Sequence, residues 1–275
     1  MNKAVEKIVL GIRDEASERA VDWVIERARR GALEVTLILS FDLVTSSPLE
    51  DQRLLSRVKE RIGRASPSTR VSIQVVEHSV PESLLPATLD ADLLVVGFHR
   101  RGFLGTALRS PALQLAARSH CATVIVPETW EPTANGCILV GLDDDGSSDA
   151  AVDFAAREAV AAGAHVEIVH AWSTMVPAMS TMAGMPIDER EMRVVHRGDL
   201  SAAVARIRSI APASFVTGDL QENTTPAALV DRASRADLLV IGSHRRGQVA
   251  SLILGSVASE VLRDLRIPLC VVPPV

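Results

Sequence analysis

Ala91-Asp92-Leu93-Leu94-Val95-Val96-Gly97-Phe98-His99-Arg100-Arg101-Gly102 returns further along the chain as Ala236-Asp237-Leu238-Leu239-Val240-Ile241-Gly242-Ser243-His244-Arg245-Arg246-Gly247. A buried strand that closes on a glycine and a basic loop has been written twice, and self-similarity on this scale signals a duplicated unit. The repeat widens in both directions. Ile8-Val9-Leu10-Gly11-Ile12 answers Ile138-Leu139-Val140-Gly141-Leu142, and Ala20-Val21-Asp22-Trp23 answers Ala151-Val152-Asp153-Phe154. Cys121-Ala122-Thr123-Val124-Ile125-Val126-Pro127 answers Ile267-Pro268-Leu269-Cys270-Val271-Val272-Pro273. Residues 1–127 and 137–275 are therefore expected to be two copies of one domain, joined by a proline- and threonine-bearing linker over 128–136.

Within each copy, apolar runs of strand length alternate with longer stretches of helical period, the pattern of a parallel sheet covered on both faces. Copy two predicts strands at 137–142, 165–172, 214–219, 238–242 and 269–272, with helices at 148–162, 188–210, 226–234 and 256–264. The expected fold is α/β: two tandem doubly wound five-stranded parallel sheets, strand order 3-2-1-4-5, with helices on both faces. The wholly apolar runs Leu93 to Val96 and Leu238 to Ile241 belong at the sheet centre. The last strand of each copy would be an exposed edge, and pairing the two removes both liabilities. That predicts an intramolecular pseudo-dimer and leaves a further homodimer open.

Composition narrows the function. With 47% hydrophobic residues over 275 positions the chain can bury two cores. A net charge of −5 argues against a nucleic-acid partner, and an aromatic content of 3% without tyrosine leaves no base-stacking platform. Residues 1–6 hold no apolar segment of signal length, and no run approaches a membrane span, so the expectation is a cytoplasmic protein with no membrane association. Cys121, Cys137 and Cys270 lack metal-type spacing and read as buried thiols in a reducing compartment.

Doubly wound sheets bind ligands beyond the carboxyl ends of their strands, where connections leave the first strand toward opposite sides. In copy two these are the loops after Leu142 and after Gly242. Gly242 and the Gly255-Ser256 pair that opens the last predicted helix suit a phosphate chain, through free N–H groups, a hydroxyl and the positive helix end; helix capping by Ser256 is the alternative.

On these residues the chain resembles the universal stress protein family in its tandem, two-domain actinobacterial form. The family's nucleotide motif is glycine, two residues, glycine, nine residues, glycine, then serine or threonine. Copy two matches with Gly242, with Arg245 in place of the second glycine, and with Gly255-Ser256. The strand-one signature Gly-x-Asp stands as Gly141-Leu142-Asp143. The resemblance implies an adenine-nucleotide site formed by Gly141, Leu142, Asp143, Ala171, Ile241, Gly242, His244, Arg245, Arg246, Gly255, Ser256, Val257 and Ala258, with ATP as cofactor, with or without Mg²⁺. Arg245 can either obstruct the phosphates or pair with them. Copy one carries Arg13 for the aspartate and Arg109-Ser110-Pro111 for Gly255-Ser256-Val257, which predicts a kept fold and a lost ligand, since proline offers no N–H.

His99 and His244 sit at matched loop positions without triad partners and are expected to order their turns or touch a ligand. His170 is assigned to the family's strand-end pattern and not to metal ligation. Asp143-Asp144-Asp145 could hold Mg²⁺ through phosphates or form a solvated turn around Asp143. The methionines of residues 174–192 suit a flap, a partner surface or a packed loop. The expected function is an ATP-binding stress sensor or regulator that is not an enzyme, with a protein partner still unknown. The alternatives are a non-nucleotide interaction scaffold and a slow ATPase, for which no water-activating group stands out.

Overall fold

The computed structural model describes residues 5–13, 17–40, 48–99, 110–143, 148–172, 189–243 and 256–274. Copy one runs β1 (Glu6–Ile12), α1 (Glu18–Ala28), β2 (Leu33–Ser40), α2 (Pro48–Ala65), β3 (Arg70–Val76), α3 (Val80–Leu84) with a following 3-10 turn, β4 (Leu93–Phe98), α4 (Pro111–Arg118) and β5 (Ala122–Pro127). Copy two repeats the series as β6 (Cys137–Leu142), α5 (Asp149–Ala162), β7 (His165–Trp172), α6 (Glu189–Ile210), β8 (Val216–Glu222), α7 (Thr225–Ala233), β9 (Leu238–Gly242), α8 (Ser256–Asp264) and β10 (Leu269–Val272).

Each half has strand order 3-2-1-4-5, and the halves share one ten-stranded sheet, β3-β2-β1-β4-β5-β10-β9-β6-β7-β8. Every neighbouring pair is parallel except β5 with β10, which is antiparallel and sets Val124 opposite Cys270. By the sequence repeat those two residues occupy the same position in their copies, so a pseudo-twofold axis passes between them. β4 and β9, read as central from their apolar runs, are buried almost throughout. Helices α1, α2, α5 and α6 cover one face and α3, α4, α7 and α8 the other, and the apolar cluster beneath each set runs through both halves.

Repeated sequence proves to be repeated bonding. The aspartate of each Ala-Asp-Leu-Leu run ties the fourth strand of its copy to the start of the first: Asp92 accepts from the Lys7 N–H (2.8 Å), and Asp237 accepts from the Gly136 and Cys137 N–H groups (2.7 and 3.2 Å). Their own N–H groups donate back to the carbonyls of Lys7 and Cys137. Asp237 also holds residues 128–136 in place, accepting from Thr133 Oγ1 and the Asn135 N–H, while Trp130 is buried.

One strand departs from expectation. β8 spans Val216–Glu222, not 214–219, because this outer strand is largely exposed and its polar Gly218-Asp219-Leu220-Gln221-Glu222 run pairs with β7 up to Trp172. An edge strand is bounded by backbone pairing, which an apolar run does not mark.

Candidate functional site

Because β6 lies between β7 and β9, the carboxyl ends of β6 and β9 diverge into a crevice. Gly141, Leu142 and Asp143 meet Ile241 and Gly242 there, and Val257 and Ala258 of the first turn of α8 close the wall. Ser148, Thr225 and Leu229 complete the lining of a cavity of about 50 Å³. Of the thirteen residues expected to bind nucleotide, seven thus surround one space. Ala171 lies on β7 and packs into the neighbouring apolar cluster without lining the cavity. Ser256 opens α8, placing a helix N-terminus at the crevice. His244, Arg245, Arg246 and Gly255 lie outside the described residues, as do Asp144, Asp145 and most of the methionine-bearing segment.

Gly141 answers to packing. A Cβ there would sit 3.1 Å from side-chain carbons of both Ile241 and Leu229, so a bare backbone lets α7 and β9 close against β6. Gly11 meets the equivalent Val96 and Leu84.

Asp143 is positioned by Ser148, whose hydroxyl accepts the Asp143 N–H at 2.9 Å. Copy one has the same device: the Arg13 N–H donates to Ser17 Oγ at 3.1 Å. The loop frame is thus common to both halves, while the side chain it presents changes from carboxylate to guanidinium. Sequence reasoning passed over Ser148, although the match of Ser17 with Ser148 in the repeat was a usable signal. Thr225 and Leu229 carried no such mark.

Ser243, next after Gly242, is 2% exposed, and its Oγ has no hydrogen-bond partner among the described residues. A buried hydroxyl without a partner costs about 1–3 kcal/mol. Ser243 does not line the cavity, whose polar character comes from Asp143, Ser148, Thr225 and the N-terminal turn of α8.

Elsewhere the matched motif does structural work. His99 Nδ1 lies 2.6 Å from Glu128 Oε2 and the Glu128 N–H donates to the Phe98 carbonyl, so this histidine orders the exit from β5. α4 starts on Ser110 with Pro111 in its first turn, and the Ser110 carbonyl accepts the first helical hydrogen bond. All three cysteines are buried free thiols.

Fold and crevice together define a duplicated doubly wound α/β protein with a crevice at the switch point of its second half. The chain belongs to the universal stress protein family, whose model matches residues 4–127 and again 136–273. It is 28% identical to Universal stress protein Rv2623 of Mycobacterium tuberculosis, over 96% of this chain and 95% of that one. Universal stress protein Rv2005c of the same species is 28% identical over 78% of this chain and 72% of its own length. Among solved structures, a universal stress protein from Archaeoglobus fulgidus superposes with a TM-score of 0.69, covering 98% of this chain and 96% of that one at 17% identity, a likeness of fold. Among the described residues no helix is long and apolar enough to cross a membrane.

Proposed function

We propose that this chain binds one adenine nucleotide, ATP, in the crevice of copy two and acts as a nucleotide-dependent regulator without rapid turnover. The observation that carries this reading is the convergence of Gly141, Asp143, Gly242 and the first turn of α8 around one cavity at the switch point. Asp143 would face the nucleoside, and the N-terminus of α8 would favour the phosphates. Copy one supports the asymmetry: Arg13 stands for Asp143, and Pro111 leaves the first turn of α4 one N–H poorer.

Calorimetric titration of the full chain with ATP tests it. One site per chain is expected, with binding weakened about tenfold or more in Asp143→Ala, since a hydrogen bond to a charged group contributes about 1.5–3 kcal/mol. A stoichiometry near two, or unchanged affinity in Asp143→Ala, would overturn the assignment.

The small volume favours a second reading. About 50 Å³ between the described walls is well short of the ~300–1,000 Å³ of an ordinary small-molecule site. A partner-binding scaffold needs no larger space, and full-chain samples with no ATP heat at millimolar nucleotide would select it.

A further inference from the structure

Two histidines and a carboxylate converge outside the crevice just described. His170, on β7, is fully buried, and His196 and Asp199 follow one another at helical spacing of three on α6. His170 Nε2 faces His196 Nδ1 at 3.0 Å. With an Asp199 carboxylate oxygen, the three ligand atoms all lie within 4.8 Å of one another. We propose that His170, His196 and Asp199 form a binding site for a divalent transition cation of the Zn²⁺ type.

The donor set decides the class of ion. Two imidazoles with one carboxylate suit zinc and its borderline neighbours, whereas Mg²⁺ and Ca²⁺ take oxygen ligands. Zinc bonds of about 2.0–2.1 Å to nitrogen in a tetrahedron set neighbouring ligands roughly 3.3 Å apart, close to the 3.0 Å between the two ring nitrogens. Asp199 stands on the exposed side of α6 and can close the remaining distance by side-chain rotation. His170 is already oriented as bound histidines are. Its Nδ1 lies 3.0 Å from the Leu142 carbonyl, which can only accept, so Nδ1 carries the proton and Nε2 turns its lone pair toward His196. The ion replaces the proton that His196 Nδ1 gives to that lone pair, and the proton passes to the other nitrogen of His196 or to solvent. The Trp172 ring packs 5.3 Å from the His196 ring and screens the site on one side.

Among the described residues three protein ligands leave a coordination position open, as in zinc sites that exchange or activate a small ligand. The Leu142 carbonyl that orients His170 ends β6 next to Asp143, so the cation would stiffen one wall of the crevice. The metal site itself does not depend on what that crevice binds.

The test is titration of chelator-stripped full-length protein with Zn²⁺ against a chromophoric chelator, with Co²⁺ as a spectroscopic substitute. One Zn²⁺ per chain is expected. It should be lost in His196→Gln and weakened more than about tenfold in Asp199→Asn, since even outer-shell changes cost about 10–100-fold. Co²⁺ should show ligand-field bands without thiolate charge transfer. Asp199 is exposed, so its variant keeps the proposal testable if a histidine variant misfolds, and circular dichroism monitors folding throughout. Absence of Zn²⁺ binding by the wild type, equal affinity in wild type and Asp199→Asn, or a thiolate-to-cobalt band would overturn the site.

Discussion

A single residue can hold its backbone frame while its chemistry changes, as Arg13 and Asp143 do on their matching serines. Cys137 illustrates the reverse, a reactive group silenced by its surroundings. Burial pushes its thiol up to about 11 from an ordinary value near 9, with the charges of Glu167 and Asp237 adding to the effect, and burial also raises Cys121 and Cys270. The folded state therefore holds these protons more tightly than the unfolded chain does. Their contribution to stability is whole below about pH 9 and is lost as pH rises toward 11 and beyond. Tyrosine, which would titrate in the same window, is absent from the chain. Urea unfolding across that range should show a declining midpoint, with a shallower decline in Cys137→Ala. An identical slope in the variant would show that Cys137 is not the group responsible.

Elements are fixed here by aspartates as much as by apolar runs. Asp237 gathers Thr133 Oγ1 and the N–H groups of Asn135, Gly136 and Cys137, whereas Asp92 accepts from the Lys7 N–H. Asp237→Ala should cost at least about 1.5–3 kcal/mol, the worth of one charge-assisted hydrogen bond, and more than Asp92→Ala, as measured by chemical denaturation. Equal costs would mean that the extra contacts contribute nothing. The same elements mark what the sequence could disclose. β4, β6, β9 and β10 were legible because buried strands are written as apolar runs, and the repeat supplied each a second witness. β8 was mis-bounded because an edge strand carries polar residues. In the site, Gly141, Asp143 and Gly242 were marked by motif and by strand ends. Outside it, His196 carried no mark, because it sits in the polar first half of α6, where one buried histidine looks like its solvated neighbours until the helix packs on β7.

At the scale of the whole molecule, duplication lets two halves differ where a dimer of identical chains cannot. Arg27 of α1 and Glu158 of α5 occupy equivalent positions in the repeat, and they meet across the pseudo-twofold axis in a buried bidentate pair with both contacts at 2.6 Å. In a symmetric dimer that position would face its own copy, charge against like charge. Burial would strip the Arg27 proton, but hydrogen bonds and charge from Glu158 and Glu6 outweigh it and hold the guanidinium ionised, with its pKa raised. Glu6 binds the same guanidinium at 2.7 and 2.8 Å, and its counterpart in copy two is Gly136, so the arrangement is not fully reversible. These facts rank a set of variants. Arg27→Glu should be severely destabilising, beyond the ~3–5 kcal/mol that follows loss of one partner of a buried pair, because three carboxylates then converge. Adding Glu158→Arg restores an ion pair across the axis and should recover much of the loss, though not all, since Glu6 is left beside the introduced carboxylate. A further Glu6→Gln should recover most of the remainder. Thermal unfolding of the three proteins decides it. If the double variant is no more stable than Arg27→Glu alone, the halves are held by their shared sheet and apolar clusters, and the opposite charges at the axis do not select the pairing.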